Sequence, residues 1–245
     1  MNPIIVIPAR MAASRLPGKP LADIAGQAMI VRVLRRALAA DIGPVVVAAG
    51  DAEIVEAVDA AGGRAVLTDP ALPSGSDRVL AALERVDPDA RHEVVVNLQG
   101  DMPFLDPAAP RAAVELLAKE TGCDIATLAA PEASPRDRTN RDVVKAILAL
   151  SPDQSGGRAL YFTRGVPYGE GPIWRHIGLY AYRRAALIRF CAAPPSALER
   201  RERLEQLRAL ELGLAIHAAI VAEAPVSVDT AADLEAARAF AQERP

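Results

Sequence analysis

Three cations lie in a short loop that follows the first apolar run of the chain. Arg10, Arg15 and Lys19 stand in segment 8–21, which is rich in small residues. At the end of a first parallel strand, such a loop suits a polyphosphate, because backbone N–H groups can approach its oxygens and the cations neutralise its charge. Pro20 follows Lys19 where a Walker loop needs Ser or Thr, and no Gly-x-Gly-x-x-Gly sequence occurs. The loop therefore predicts a nucleotide-phosphate site of another kind.

Two carboxylates stand where predicted strands end. Asp101 follows the apolar run 94–98, and Asp229 follows a short apolar run just before the last predicted helix. Beside a bound triphosphate, Asp101 is well placed to bind Mg²⁺, which takes carboxylate and phosphate oxygens and keeps some water. Asp229 has two interpretations from its position, since an aspartate before a helix is also a common N-cap.

Composition restricts the classes of partner. The 245 residues carry a formal net charge of −3, which argues against a general nucleic-acid or membrane-surface binder. Two cysteines, Cys123 and Cys191, form neither a disulfide framework nor, with three scattered histidines, a zinc site. There is no membrane-spanning apolar run and no basic leader, so we expect a cytoplasmic protein with reduced thiols.

The first half of the chain alternates short β-branched runs with amphipathic stretches. This alternation is typical of βαβ units and of a doubly wound, mainly parallel α/β sheet whose ligands lie beyond the strand C-termini. The predicted strands are 3–8, 44–49, 64–67 and 93–98. The predicted helices are 29–40, 51–61 with Asp51 as its cap, 76–86 and 107–119.

The pattern changes after residue 124, although no linker or repeat separates the two halves. Strands are predicted at 124–130, 143–149, 175–182 and 215–222, and helices at 185–191, 198–213 and 231–243. Segment 151–172, rich in glycine and proline, is predicted to be irregular. We expect one α/β domain over 1–245, whose second half folds onto the first and shapes a substrate pocket.

Seven segments, in their order and spacing, resemble the 3-deoxy-manno-octulosonate cytidylyltransferase (CMP-Kdo synthetase) family. The first would fit several sugar nucleotidyltransferases, whereas the fourth, fifth and sixth are close to specific for this family. The resemblance covers nearly the whole chain. The segments are Pro8-Ala9-Arg10 with Ser14-Arg15-Leu16-Pro17-Gly18-Lys19-Pro20-Leu21, Ser74-Gly75-Ser76-Asp77-Arg78, Asn97-Leu98-Gln99-Gly100-Asp101, Tyr161-Phe162-Thr163-Arg164, Arg175-His176-Ile177-Gly178-Leu179-Tyr180, Leu204-Glu205-Gln206-Leu207-Arg208 and Val228-Asp229-Thr230.

The resemblance implies a role for each matching residue. The implied nucleotide-binding residues are Arg10, Arg15, Lys19, Ser74, Gly75, Ser76, Arg78 and Gln99. The implied catalytic residues are Arg15, Lys19, Asp101 and Asp229, of which the two aspartates ligate magnesium. The implied sugar-binding residues are Arg164, His176, Tyr180, Glu205 and Gln206.

The sugar-binding residues have structural alternatives. Arg164 could be a surface cation, Tyr180 a packing residue, Glu205 part of a solvated helix face and His176 a hydrogen-bonded strand histidine. Arg164 has the clearest chemical reason, because Kdo is a sugar acid and a guanidinium fork matches its carboxylate.

The resemblance also implies a reaction and an assembly. CTP and Kdo would give CMP-Kdo and pyrophosphate for lipopolysaccharide biosynthesis, with Mg²⁺ as cofactor and in-line attack of the anomeric hydroxyl on the α-phosphate. The implied fold is that of nucleotide-diphospho-sugar transferases, Rossmann-like, with a CTP-binding half of about 1–122 and a smaller sugar-binding and dimerisation half of about 123–245. A homodimer is expected, and no nucleic-acid or membrane partner.

Three departures from the family pattern leave alternatives open. Met102 replaces the usual Glu, Ser76 replaces the usual Thr, and segment 167–174 is shorter than in many relatives. The alternatives are a cytidylyltransferase for another sugar acid, such as N-acetylneuraminate or 8-amino-Kdo, and a non-catalytic CTP-binding regulator.

Overall fold

The chain forms two compact units. The computed structural model describes residues 1–12 and 15–243, so Ser14 of the first-loop segment lies outside the described residues. The first unit comprises residues 1–110 together with 225–245, and the second comprises 111–224. Residues 225–245 therefore group with the first unit, although the predicted second half ran to the end of the chain. The division into a CTP half and a sugar half stays a prediction about function.

The elements of the first unit follow the predicted alternation, with small shifts at their ends. A short hairpin and a one-turn 3₁₀ helix, Lys19–Leu21, are additional to the prediction. The elements are β1 (Pro3–Ala9), β2 (Asp23–Ile24), β3 (Gln27–Ala28), α1 (Met29–Ala39), β4 (Val45–Ala49), α2 (Ala52–Ala60), β5 (Ala65–Leu67), α3 (Gly75–Val86), β6 (Val94–Leu98) and α4 (Ala108–Lys119), which leads into the second unit.

Four strands of the first unit belong to the large sheet and are all parallel, in the order β5-β4-β1-β6. The β2–β3 hairpin is antiparallel. Residues 4–9, 45–49 and 94–98 are buried throughout, as strands covered on both faces should be. β4 and β5 lie on one side of β1, and β6 lies on the other side. The strand order therefore reverses between β1 and β6. Ligands of doubly wound sheets bind beyond the strand C-termini at such a reversal.

The second unit is mixed rather than mainly parallel. Its strands pair in the order β10-β7-β11-β9-β8, and β8 also pairs with β10, so that the five strands form a closed ring of pairings. Only the β7–β11 pair is parallel among those five strands. The elements are β7 (Ile125–Pro131), α5 (Pro135–Thr139), β8 (Lys145–Leu150), β9 (Gly156–Thr163), β10 (Trp174–Arg183), α6 (Arg184–Ala192), α7 (Ala197–Glu202), α8 (Gln206–Glu211) and β11 (Ile216–Ile220).

Two predictions for the second half are wrong. The segment predicted to be irregular contains β9, because Gly156 and Gly157 serve close strand approach rather than a loop. A Cβ at Gly156 would lie 2.4 Å from the Ala218 carbonyl oxygen, and one at Gly157 2.1 Å from that of Ala149. The single helix predicted over 198–213 is two helices, since Arg203 between them is left-handed with φ 55°.

The last helix, α9 (Ala231–Glu243), returns to the first unit. Its residues Leu234, Ala237 and Ala241 form a buried apolar cluster with residues that include Ile24 and Val228. None of the helices in the described ranges is long and apolar enough to cross a membrane.

Candidate active site

A cavity of about 300 Å³ in the first unit brings together most of the implied nucleotide-binding and catalytic residues. It is lined by residues that follow β1 and β6, where the strand order reverses, by the start of α3 and by Asp229. Among the implied residues, Arg10, Arg15, Lys19, Ser74, Gly75, Arg78, Gln99, Asp101 and Asp229 line it. Ser76 is only 1% exposed and does not line the cavity.

The first loop holds Lys19 through one left-handed residue. Gly18 has φ 73°, a conformation that favours glycine, and its N–H donates to the Met11 carbonyl at 3.0 Å. The 3₁₀ turn begins directly afterwards, with buried Pro20 at its start. The Met11 N–H in turn donates to Asp51 Oδ2 at 2.7 Å. Asp51, predicted to cap α2, makes no side-chain cap there and instead fixes the cationic loop.

Lys19 lies between the two carboxylates. Its Nζ is 3.0 Å from Asp101 Oδ2 and 3.1 Å from Asp229 Oδ1, and Arg15 Nη2 is 3.1 Å from Asp229 Oδ2. Burial alone would lower the pKa of Lys19, but the two carboxylates outweigh it and the pKa is raised. Burial raises the pKa of Asp101, against the opposing effect of the Lys19 charge. Four groups of alternating charge thus form one chain in the cavity.

The helix-cap alternative for Asp229 does not hold in this structure. The Thr230 hydroxyl accepts the Asp233 N–H at 3.2 Å, and Asp233 Oδ2 accepts the N–H groups of Asp229 and Thr230. This reciprocal pair caps α9, so the Asp229 carboxylate faces Lys19 and Arg15 instead. The Val228 N–H donates to the Asp101 carbonyl at 2.9 Å, which fastens the two carboxylate-bearing segments together.

Arg78 is a buried cation with a second cation as its neighbour. It is 2% exposed and donates to the Thr68 hydroxyl at 2.5 Å and to the Asp69 carbonyl at 3.1 Å. Burial, followed by the charge of Arg10, lowers the pKa of Arg78. Buried arginines usually face a carboxylate partner, but within the described residues Arg78 forms no salt bridge. The charges of Asp51 and Asp69 oppose the lowering of the Arg78 pKa without forming a salt bridge. The two neighbouring cations are therefore suited to an anionic ligand.

Ser74 contributes the start of a helix more than its own hydroxyl. Its Oγ donates to Asp77 Oδ2 at 2.7 Å and accepts the Asp77 N–H at 3.2 Å. The hydroxyl proton is therefore bonded to the Asp77 carboxylate, and the hydroxyl oxygen caps α3. What α3 offers the cavity is the N–H of Gly75, the first residue of the helix, which lines the cavity.

A chain of amides fixes Gln99. Its Nε2 donates to Asn97 Oδ1 at 2.9 Å, and Asn97 Nδ2 donates to Ser76 Oγ at 3.4 Å. Oε1 is consequently the edge of the Gln99 amide that points away from Asn97. Ser76 thus acts on the cavity through Asn97 and Gln99 and does not line it.

The donor set suits a hard divalent cation that brings its own further ligands. Within the described ranges, no cluster of three or more His, Cys, Asp or Glu side chains is arranged to hold a metal ion. Asp101 and Asp229 instead share one cation, the ammonium of Lys19. Two carboxylates are the number that Mg²⁺ typically takes from a protein when phosphates and waters complete its octahedron. The residues therefore fit Mg²⁺ accompanied by a nucleotide.

The implied sugar-binding residues lie in the second unit, where His176 is partly buried and neutral. Thr127 Oγ1 lies 2.8 Å from the Leu179 carbonyl oxygen and 3.1 Å from His176 Nε2. A hydroxyl has one proton, and Thr127 donates it to the Leu179 carbonyl. In the contact between Thr127 and His176, Nε2 of His176 must therefore carry the proton and donate it to the Thr127 oxygen. Burial lowers the pKa of His176 to about 3. Nδ1 is then an acceptor at neutral pH.

Tyr180 connects His176 with Glu205. The rings of His176 and Tyr180 have centroids 5.5 Å apart, with a β-bulge in β10 between Ile177 and Tyr180. Burial, and then the negative charge of Glu205, raises the pKa of Tyr180. Gln206 directly follows Glu205 and is 6% exposed. These four residues are polar or aromatic, and His176, Tyr180 and Glu205 are partly buried.

Arg164 is fixed by its neighbours, apart from that group. Its Nε donates to the Glu202 carbonyl at 3.2 Å and its Nη1 to the Arg141 carbonyl at 3.0 Å. Lys145 is fully buried and donates to the carbonyls of Asn140 and Arg164. Within the described residues, none of the hydrogen bonds of Arg164 reaches His176, Tyr180, Glu205 or Gln206.

Several supporting residues were not predicted from the sequence. Asn97 and Thr127 were detectable as single polar residues inside apolar strands, since a buried polar side chain needs a partner. Thr68, Lys145 and Glu202 gave no such signal, because each contacts a residue that is distant in the chain. Asp233 was detectable from its spacing, since Thr230 and Asp233 stand three residues apart at the start of a helix.

Met102 contributes no side chain to the cavity wall. Met102 is 3% exposed and is not one of the residues that line the cavity. The residue at 102 therefore packs into the interior.

Comparison with known proteins agrees with this geometry. A family model described as "Cytidylyltransferase" matches residues 4–216. The 3-deoxy-manno-octulosonate cytidylyltransferase of Rhodospirillum centenum is 65% identical over 244 residues, covering 99% of this chain and 95% of the relative. That of Rhodospirillum rubrum is 60% identical over 239 residues, covering 97% and 95%.

Solved structures extend the comparison. A structure of CMP:2-keto-3-deoxy-manno-octonic acid synthetase in complex with CTP has 35% identity and a TM-score of 0.91, with 100% of both chains covered. The 4-diphosphocytidyl-2C-methyl-D-erythritol synthase of Anaerococcus prevotii has 12% identity and a TM-score of 0.65, covering 98% of this chain and 99% of that one. The second likeness shows a shared fold.

Proposed function

This chain belongs to the 3-deoxy-manno-octulosonate cytidylyltransferase family, and we propose that it transfers CMP from CTP to Kdo with release of pyrophosphate. The 65% identical relative bears the name of this activity, and the 35% identical structure was solved with CTP. The product would supply lipopolysaccharide biosynthesis in the cytoplasm. A homodimer is part of the same proposal and rests on the resemblance of the sequence segments.

The observation that carries the proposal is the charge chain of Arg15, Asp229, Lys19 and Asp101. In it, two carboxylates and two cations neutralise one another at distances of 3.0–3.1 Å. A nucleoside triphosphate with its cation would bring the same two kinds of charge. The carboxylates would then hold the cation, while Lys19 and Arg15 turn to the phosphates, so that no charge is left unpaired.

Asp101 and Asp229 would hold Mg²⁺, which when bound supplies charge neutralisation at the reacting phosphate. The residues of the chain have the remaining tasks. Arg10 and Arg78 would bind phosphate oxygens, and Lys19 and Arg15 would stabilise the charge that develops on the leaving pyrophosphate. The N–H of Gly75 at the start of α3 would donate to the nucleotide as well.

Selection of cytosine would fall to Gln99. Its Nε2 is used by Asn97, so Oε1 is the edge suited to accept a hydrogen bond. The exocyclic amino group of cytosine is a donor, whereas uracil presents a carbonyl at the same position. An acceptor at this place would favour CTP over UTP.

The second unit would bind the sugar acid. The guanidinium of Arg164, held by two backbone carbonyls, is suited to the carboxylate. Neutral His176 would accept a hydrogen bond from a sugar hydroxyl at Nδ1, because Thr127 determines its tautomer. Glu205 and Gln206 would contribute further polar contacts.

Two alternatives are answered by one assay. Another sugar acid would use the same nucleotide cavity, and a non-catalytic regulator would bind CTP without turnover. The buried position of Met102 weakens the regulator alternative, since its substitution leaves the cavity carboxylates in place.

The test is pyrophosphate release from each of the four nucleoside triphosphates with Mg²⁺ and Kdo, N-acetylneuraminate or 8-amino-Kdo. We expect release with CTP and Kdo, and at most a small fraction of that rate with UTP. Binding of CTP without release for any sugar acid would establish the regulator. Faster release with another sugar acid would correct the acceptor.

A further inference from the structure

A second cavity of about 390 Å³ lies in the first unit, lined by residues unlike those of the nucleotide cavity. Three arginines of α1 form one side of it, at positions 32, 35 and 36, together with Gln27. Pro103, Phe104 and Phe240 form the apolar side. Arg35 and Arg36 are three and four residues from Arg32, the spacings at which like charges on one helix repel.

The three guanidinium groups are held in place by neutral partners. Arg32 Nε donates to the Ile24 carbonyl at 2.8 Å, and Arg36 Nε donates to the Leu105 carbonyl at 2.6 Å. The Gln27 amide is assigned so that its oxygen faces Arg35, because only this orientation satisfies both groups. In it, Arg35 donates to that oxygen from Nε at 3.3 Å and from Nη2 at 3.0 Å. Among the described residues, none of these arginines forms a salt bridge. The three guanidinium groups are therefore held in position by neutral groups, and within the described part of the chain no carboxylate neutralises them in a salt bridge.

The apolar side is aromatic and adjoins the cations. The rings of Phe104 and Phe240 have centroids 4.7 Å apart, and Arg32 Cζ lies 5.8 Å from the centroid of the Phe104 ring. A cavity with guanidinium forks on one side and aromatic rings on the other matches an anion that carries a planar apolar group. Its volume lies within the usual range for small-molecule sites.

We propose that this cavity is an accessory site for an organic phosphate monoester with an aromatic ring, and that its occupation alters turnover. The phosphate would lie against Arg32, Arg35 and Arg36, and the ring against Phe104 and Phe240. This site is separate from the nucleotide cavity, since the two share no lining residue.

One short covalent connection and one packing contact explain how occupation would reach the catalytic carboxylates. Phe104 is three residues from Asp101, in a turn where the Leu105 N–H donates to the Met102 carbonyl at 3.2 Å. Phe104 also packs against the cluster containing Val228, the residue before Asp229. A ligand that moves the Phe104 ring therefore acts on both segments that hold Lys19.

The experiment uses ¹⁹F NMR of the full chain labelled with 4-fluorophenylalanine, titrated with phenyl phosphate. The chain has four phenylalanines; Phe104 and Phe240 line this cavity, whereas Phe162 and Phe190 are buried in the second unit. We expect the first two signals to shift and the last two to stay, with assignment from Phe→Leu variants. Phenyl phosphate should also change the rate of pyrophosphate release from CTP and Kdo by at least about twofold. This threshold lies below the roughly 5- to 150-fold effects typical of allosteric coupling.

Arg35→Ala is the decisive variant, because Arg35 is exposed and outside the nucleotide cavity. It should weaken phenyl phosphate binding about tenfold, abolish the rate effect and leave basal turnover unchanged. Arg64→Ala, at an exposed arginine outside the cavity, should leave all three unchanged. Unshifted Phe104 and Phe240 signals, or equal affinity in Arg35→Ala, would overturn the site. A rate effect that persists in Arg35→Ala, or binding without any rate effect, would overturn its role in turnover.

Discussion

The nucleotide cavity and the sugar-binding residues are built on opposite electrostatic principles. In the first unit, Lys19, Asp101 and Asp229 are charged and neutralised by one another. In the second, His176 and Tyr180 are uncharged at neutral pH, because burial lowers the pKa of the histidine to about 3 and raises that of the tyrosine.

The difference corresponds to two kinds of ligand. A polyphosphate with a metal ion brings large charge, so its site can exchange internal salt bridges for bonds to the ligand at little net cost. A sugar is mostly neutral hydroxyl groups, which are recognised by oriented donors and acceptors. The predictions below test whether charge dominates in one unit and orientation in the other.

The largest effect is expected from the paired carboxylates. Asp101→Asn keeps the side-chain volume but removes one of the two charges proposed to hold Mg²⁺, and should lower kcat at least about a hundredfold. Asp229→Asn should act similarly, whereas Asp59→Asn, on the exposed face of α2, should not. The measurement is pyrophosphate release over a magnesium titration. Wild-type behaviour of Asp229→Asn would remove Asp229 from the metal site.

Lys19→Ala should lower kcat/KM for CTP about tenfold to a hundredfold, because one charged contact to the phosphates is lost. Binding of Kdo should change little. Lys119→Ala, at an exposed lysine of α4, is the matched control. An unchanged kcat/KM for CTP would show that Lys19 only separates the two carboxylates.

Arg164→Ala should raise the KM for Kdo about tenfold or more, while CTP affinity measured without sugar stays near wild type. Since Arg164 also bonds to two backbone carbonyls, the Tm of the variant and Arg164→Lys, which keeps the charge, separate binding from stability. If CTP affinity fell and Kdo dependence stayed, the functions of the two units would be reversed.

The smallest effect concerns pH and His176. The unfolded histidine gains its proton near pH 6.5, whereas the folded one stays neutral down to about pH 3. The unfolded state thus binds more protons between these values, and stability falls as pH falls below about 6.5. From pH 7 to 5, the free energy of unfolding should decrease by about 1–2 kcal/mol more in wild type than in His176→Phe. Equal decreases in urea titrations, or an imidazole NMR signal that titrates near pH 6, would contradict the neutral buried state.

Local patterns were sufficient for the first unit. Its strands are continuous β-branched runs and its helices carry clear periodicity, so 3–8, 44–49 and 93–98 were predicted within one residue of the observed ends. In the second unit, Gly156 and Gly157 were mistaken for a loop. Glycine has the same local signal in a loop and in a close approach of strands, and only the neighbouring carbonyls distinguish the two.

The sequence by itself determined the doubly wound first unit, the cationic loop and the positions of the two carboxylates, because these depend on residue type and on spacing within short segments. Only the tertiary structure decided that Asp229 faces Lys19, that Thr127 orients His176, and that Asp51 fixes the first loop. Each of these contacts selects one partner among several of similar chemistry. That selection depends on distances between segments far apart in the chain, which residue type and local spacing do not contain.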